Sequence, residues 1–216
     1  MTLPEPPTPA LIAAALAGGY LLGSVPFGVL VARFGGIGDI RAIGSGNIGA
    51  TNVLRSGRKD LALITLVGDG GKGALAVLAA WLATRHAGAE AQALLTAFSG
   101  GAAFIGHLFP AWLKFRGGKG VATFIGTLLA AAWPAGLLVA ATWLLTAAVF
   151  RISSLAALTA VALAPIYVFA VDRPRPIAAL ALGMAILVFV RHHENIARLL
   201  KGREPRIGAG KAPPAA

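Results

Sequence analysis

The chain has 216 residues, 57% of them hydrophobic and 12% charged, at a mean hydropathy of +0.77. Soluble domains carry about 25% charged residues, so half that share marks lipid as the main solvent and excludes an ordinary soluble domain. The absence of cysteine excludes disulfides, thiolate metal sites and a cysteinyl acyl-enzyme, and the net charge of +11 fits basic loops beside anionic lipid better than a nucleic-acid partner.

Met1 to Pro9 is proline-rich and holds no Lys or Arg, so it does not read as a signal peptide. It reads as a disordered head, followed by a helical membrane domain over 10–202 and a disordered cytoplasmic tail over 203–216. Six apolar blocks lie at about 10–33, 61–83, 91–112, 121–150, 152–171 and 177–191. After the first comes Gly44-Ser45-Gly46-Asn47-Ile48-Gly49-Ala50-Thr51-Asn52, followed by Arg55. It contains G-x-G-x-x-G, but no strand precedes it and no βαβ unit surrounds it, so a dinucleotide site is not indicated. Backbone N–H groups, Ser45 and Thr51 are suited to face an anion; a plain Gly/Ser turn is the alternative.

Gly68-Asp69-Gly70-Gly71-Lys72-Gly73 interrupts the second block. Ionisable residues there are costly, so Asp69 and Lys72 either pair structurally or line a site. The third block ends in Gly106-His107-Leu108-Phe109-Pro110, where His107 reads as structural. Phe115-Arg116-Gly117-Gly118-Lys119-Gly120 follows, a second Gly-Gly-Lys-Gly. Lysine among glycines whose amides are free to point at a ligand is a way to hold phosphate. Neither lysine is followed by Ser or Thr, so neither motif is a Walker A; the scattered carboxylates form no paired cluster. Metal-free, cofactor-free chemistry is expected.

The fourth block is too long for one upright span, and Trp133-Pro134-Ala135-Gly136 predicts a turn within it. Splitting it gives seven spans. With the N-terminus outside and the C-terminus cytoplasmic, Arg33, Arg41, Arg55, Arg58, Lys59, Lys114, Arg116, Lys119, Arg151 and the basic tail then face the cytoplasm, leaving only Arg85, Arg173 and Arg175 outside. Six spans would violate the positive-inside rule. Arg191-His192-His193-Glu194-Asn195-Ile196 closes the last block, and His192 and Asn195 at i and i+3 share one face of a continuing helix.

Together these three motifs resemble the bacterial acyl-phosphate:glycerol-3-phosphate acyltransferase family (PlsY), in its order and spacing, from about Gly23 to Gly202. The resemblance implies an all-α, seven-helix protein of the bacterial plasma membrane with a cytoplasmic active site. The implied reaction moves an acyl group from acyl-phosphate to the sn-1 hydroxyl of glycerol 3-phosphate, giving lysophosphatidic acid and inorganic phosphate. Ser45, His192 and Asn195 are the catalytic candidates. Asn47, Thr51, Asn52, Arg55, Lys72, Gly118, Lys119, Gly120 and Ser154 are the candidate substrate contacts, Ser153 competing with Ser154. The proton acceptor is His192, Ser45 or a substrate phosphate. Implied partners are acyl-phosphate, glycerol 3-phosphate, membrane lipid and the enzyme that supplies acyl-phosphate. Rival readings are a transporter of a phosphorylated solute, whose site belongs near the midplane, and a structural protein that binds anionic lipid.

Overall fold

The computed structural model of the protein describes residues 7–208; the disorder expected over 1–6 and 209–216 falls outside the described residues. Among the described residues every regular element is helical. Helix α1 (Pro9–Gly23) starts on a proline, which needs no N–H there, and is capped by the Thr8 hydroxyl accepting from Leu11 N at 3.3 Å. Pro26 divides it from α2 (Phe27–Phe34) without ending the apolar passage, which runs 26 residues from Pro9 to Phe34. After a short α3 (Ala50–Leu54) come α4 (Lys59–Ala83) and α5 (Ala89–Leu108), then α6 (Val121–Ala131), α7 (Trp133–Phe150), α8 (Ser153–Ala170) and α9 (Arg175–Arg191). The last helix, α10 (His193–Leu200), bends 63° away from α9.

Among the described residues five passages are long and apolar enough to cross a membrane, α9 with α10 makes a sixth, and α6 is a shorter apolar helix. The fourth block is indeed two helices. Ala132 leaves helical geometry at φ −152°, ψ 68°, and Trp133-Pro134 begins α7 one residue later.

The second block departs from expectation. Gly68 to Gly73 does not interrupt α4, which is continuous through it. The glycines serve packing: a Cβ on Gly126 of α6 would lie 2.0 Å from the Gly70 carbonyl oxygen, and one on Gly73 would lie 2.7 Å from Thr123 O. Helices in lipid associate through such small-residue contacts, because apolar side chains gain little by leaving the acyl chains. The same device brings α1 onto α5, where a Cβ on Gly23 would meet the Ala103 carbonyl oxygen at 1.9 Å.

The main core lies among α5 to α9. Phe104 and Phe124 meet edge to face with centroids 6.3 Å apart, surrounded by buried Leu108, Leu128, Val161 and Val188. Leu145, Val149 and Phe169 are exposed on the outside of the bundle, as lipid-facing residues should be. A second cluster, with Ala32, Ile40, Ile48, Val53 and Leu61, seats the loop after α2. That loop, the turn after α5, the α7–α8 junction and the bend at His192 meet at one end of the bundle.

Candidate active site

The Ser45 loop is held by one buried side chain. Asn52 on α3 donates to the carbonyls of Ile40 and Ile43, each at 2.9 Å, and its Oδ1 accepts from Ser45 N at 3.0 Å and Ser45 Oγ at 3.3 Å. All its hydrogen-bonding capacity goes into shaping the loop, so Asn52, expected as a substrate contact, is instead a clamp. Gly44 (φ +56°) and Gly46 (φ +68°) supply the left-handed turns that leave Ser45 exposed. The loop rests on α2 at Gly28, where a Cβ would collide with the Ile48 carbonyl oxygen at 1.7 Å. Arg55 is exposed, with its side chain alongside Gly44 and hence beside Ser45. The Asn47 amide lies over Gly49. A surface cleft of about 530 Å³ opens on the outer side of this loop, lined by Gly36, Ile43, Gly44, Arg55, Ser56 and Arg58.

The second part of the site is the 117–120 turn. Gly117 N and Gly118 N donate to the carbonyls of Leu108 and His107, both at 3.1 Å, which folds the turn back over the end of α5. Arg191 closes it from α9, donating to Gly117 O at 3.0 Å and Gly118 O at 3.3 Å while its guanidinium lies 5.5 Å from the Phe109 ring centroid. Gly120, at φ +83°, caps α6 and packs where a Cβ would strike Phe104 at 2.3 Å. Its role here is packing. The turn sends the Lys119 ammonium to Asn195 Oδ1 on α10. Burial lowers the Lys119 pKa, and Arg198 adds to that; Glu204 and Glu194 oppose it.

Asn195 donates at 2.5 Å to Glu204, whose same oxygen accepts from Ser154 Oγ at 2.7 Å; its other oxygen accepts from Arg198 Nε at 2.7 Å. Burial alone would raise the Glu204 carboxyl, but hydrogen bonds from Asn195, Ser154 and Arg198 outweigh it and hold the group below its ordinary value. Residues 203–208, assigned to the tail from sequence, thus run back against the bundle, and Arg151 O accepts from Ile207 N at 2.6 Å. Glu204 and Arg198 were not among the sequence candidates. The one available signal was a lone carboxylate in a basic stretch, between Arg203 and Arg206.

His192 occupies the bend between α9 and α10 and is buried. Its Nδ1 lies 2.8 Å from Val188 O. A carbonyl can only accept, so Nδ1 carries the proton and Nε2 of the neutral ring is the acceptor.

The two parts meet at the start of α8. Ser153 Oγ lies 3.2 Å from Thr51 Oγ1 of the Ser45 loop, while Ser154 reaches Glu204 in the Lys119 cluster. The two serines thus do different jobs. Lys72 is not brought to either part. It is buried within the bundle, donating to Asp69 Oδ1 and to Val25 O, each at 2.9 Å. A further concavity of about 300 Å³, lined by Trp81, Gln92, Trp133 and Arg173 among others, contains none of the motif residues.

The protein-family model described as glycerol-3-phosphate acyltransferase matches residues 13–202. The glycerol-3-phosphate acyltransferase of Caulobacter vibrioides is 63% identical over 205 residues, covering 93% of this chain and 92% of that protein. That of Rhodospirillum rubrum is 61% identical over 205 residues, 94% of each. Two crystal structures of PlsY, an integral membrane glycerol 3-phosphate acyltransferase, superpose closely. The glycerol 3-phosphate form gives a TM-score of 0.83 at 37% identity, covering 91% of this chain and 96% of that one. The lysophosphatidic acid form gives 0.82 at 36%, covering 91% and 95%.

Proposed function

The chain belongs to the glycerol-3-phosphate acyltransferase family, and from that premise we propose that it is a multipass enzyme of the bacterial plasma membrane that acylates the sn-1 hydroxyl of glycerol 3-phosphate from acyl-phosphate. Seven spans, an outside N-terminus and a cytoplasmic site complete the reading, on the strength of the positive-inside charge pattern. In the reaction the hydroxyl oxygen attacks the acyl carbon, the carbon–oxygen bond to phosphate breaks, and inorganic phosphate leaves with the electron pair. Lysophosphatidic acid is the other product.

The observation that carries this reading is the meeting of two parts at the first turn of α8, where Ser153 contacts Thr51 of the Ser45 side and Ser154 leads through Glu204 and Asn195 to the Lys119 turn. Ile152, the N-cap of α8, offers no side chain to its first amides. The positive end of the helix dipole and those N–H groups suit an anion, and Lys119 and Arg55 supply cationic charge from the two parts. Both substrates carry phosphate, so these groups serve to hold the reacting atoms together and to stabilise the leaving phosphate. Asn47, Thr51 and the amides of Gly118 and its neighbours are the further contacts. The neutral His192 ring offers Nε2, with its lone pair and hence its basicity, to accept the hydroxyl proton. Bound phosphate would raise that basicity. An acyl-phosphate is already activated, so direct attack suffices and Ser45 orients the hydroxyl. The test is purified protein in detergent with acyl-phosphate and glycerol 3-phosphate: lysophosphatidic acid and phosphate should appear one for one. Activity with acyl thioesters but not with acyl-phosphate would overturn the donor assignment.

A further inference from the structure

Three ionisable side chains lie together inside the bundle with no part in the chemistry above. Asp69 and Lys72 on α4 are paired at 2.9 Å, with 3% and 1% of their side chains exposed. His107 on α5, 4% exposed, places Nδ1 at 3.4 Å from the same Asp69 oxygen. Charges so deep in an apolar bundle are costly to keep, and in membrane proteins such groups mark function more often than not. The Lys72 ammonium is occupied by Asp69 and the Val25 carbonyl and stands 6.0 Å from the Phe27 ring centroid, so it faces inward. His107 faces the other way. Its backbone carbonyl accepts from Gly118 N, and its ring lies directly beneath the Gly118 α-carbon.

The glycine contacts single out that ring. A Cβ on Gly117 would strike backbone, at 2.1 Å from His107 O, and Gly120 is confined by φ +83°. Gly118 has an ordinary φ, and the three atoms nearest to a Cβ there all belong to the His107 imidazole: Nε2 at 2.3 Å, Cε1 at 3.0 Å and Cδ2 at 3.3 Å. The nearest group under the residue before Lys119 is therefore one side chain, whose buried Nδ1 makes no hydrogen bond and has Asp69 beside it at 3.4 Å. The Asp69 backbone is tied in turn to α6, its carbonyl accepting from Thr123 Oγ1 at 2.8 Å.

We propose that His107, packed beside Asp69, is a positioning residue that sets the height of the Gly118–Lys119 turn and thereby the seat of the substrate phosphate. The proposal rests on the acyltransferase reading. Lys72 then belongs to the same unit, neutralising the carboxylate beside the imidazole.

The test is a double-mutant cycle on the purified enzyme, with kcat and the KM for glycerol 3-phosphate read separately and monodispersity and Tm as folding controls. Gly118→Ala should raise KM about ten- to a hundredfold by pushing the turn off the ring, the penalty of a displacement near 1 Å. His107→Asn keeps an amide donor for Asp69 while removing the ring edge, and should raise KM more than it lowers kcat. In the double variant the added methyl has room, so its KM should be well below the product of the two single effects. Effects that simply multiply, or losses confined to kcat, would overturn the proposal. Should His107→Ala fail to fold, the asparagine variant still completes the cycle. An inactive wild type with both substrates present would instead sink the acyltransferase reading, so the two failures are distinguishable.

Discussion

Replacing Glu204 with alanine removes a carboxylate that ties α8, α10 and the chain after α10 to one point. Its side chain is 5% exposed, and it accepts hydrogen bonds from Ser154, Asn195 and Arg198. Hydrogen bonds to a charged group contribute about 1.5–3 kcal/mol each when their donors are buried. Ser154 and Asn195 meet that condition; Arg198, with 37% of its side chain exposed, contributes at the surface level of about 0–1 kcal/mol. Because the three share one acceptor group, the net loss should be about 3–5 kcal/mol, on the order of a 10 °C fall in Tm for a chain of this size. Glu204→Gln keeps an oxygen for Ser154 and Asn195 and loses only the Arg198 pairing, so it should fall between wild type and Glu204→Ala. The sign of the pH dependence is fixed. The folded carboxyl is depressed below its ordinary value of 4.5, so its contribution is complete above that value and disappears as pH falls through the folded pKa. Thermal unfolding of the detergent-solubilised variants at neutral pH is the assay. An unchanged Tm in Glu204→Ala would show that the docked tail contributes nothing and would falsify the reasoning.

Lys119→Ala should lower kcat/KM by at least about a hundredfold while the protein still inserts and purifies, since a charge-assisted phosphate contact is lost; Lys119→Arg should not restore it, because a planar fork does not replace a point charge reaching Asn195. Incubation with acyl-phosphate alone should leave Ser45 unmodified, and initial-rate patterns should be sequential; an acyl mass on the Ser45 peptide, chased off by glycerol 3-phosphate, would refute direct attack. Turnover should survive EDTA without added divalent ions, because the described residues assemble no group of three or more His, Asp or Glu side chains fit to hold one; loss of activity restored by Mg²⁺ would reverse this.

The fold was legible wherever a local rule acts alone. Trp133-Pro134 suits a helix start, where proline's missing N–H costs nothing, and α7 begins there, although α8 runs through Pro165. Gly70 to Gly73 and Gly117 to Gly120 show the limit, since they share the letters Gly-Gly-Lys-Gly and fold differently. The first lies within α4 because Gly126, more than fifty residues away, lets α6 approach the Gly70 backbone. The second is a turn because Pro110 follows the end of α5 and Lys114 and Phe115 take left-handed geometry. Nothing in the four letters distinguishes a packing face from a phosphate turn; the distant partner does.

The site shows the same division between chemistry and geometry. Residue type singled out Lys119, Ser45, Arg55, His192 and Asn195 as candidates, and the structure brings Lys119 to Asn195 and lays Arg55 alongside the Ser45 loop. Residue type was not enough to tell which polar groups face the substrate and which are used up in holding those that do. Asn52 looks like a binding amide in sequence, but both its carbonyl and its amino group are committed to the Ser45 loop. Glu204 looks like the start of a solvated tail because Pro205 and a Gly/Ala/Pro run follow it, and its partners Ser154 and Asn195 come from two other helices. Neighbouring serines were interchangeable in sequence, yet Ser153 joins the Thr51 side and Ser154 the Lys119 side. The first turn of α8 therefore ties the two halves of the site to each other. A substitution at either serine should accordingly disturb both halves, with Ser153→Ala acting first on the Ser45 loop and Ser154→Ala on the Glu204 cluster.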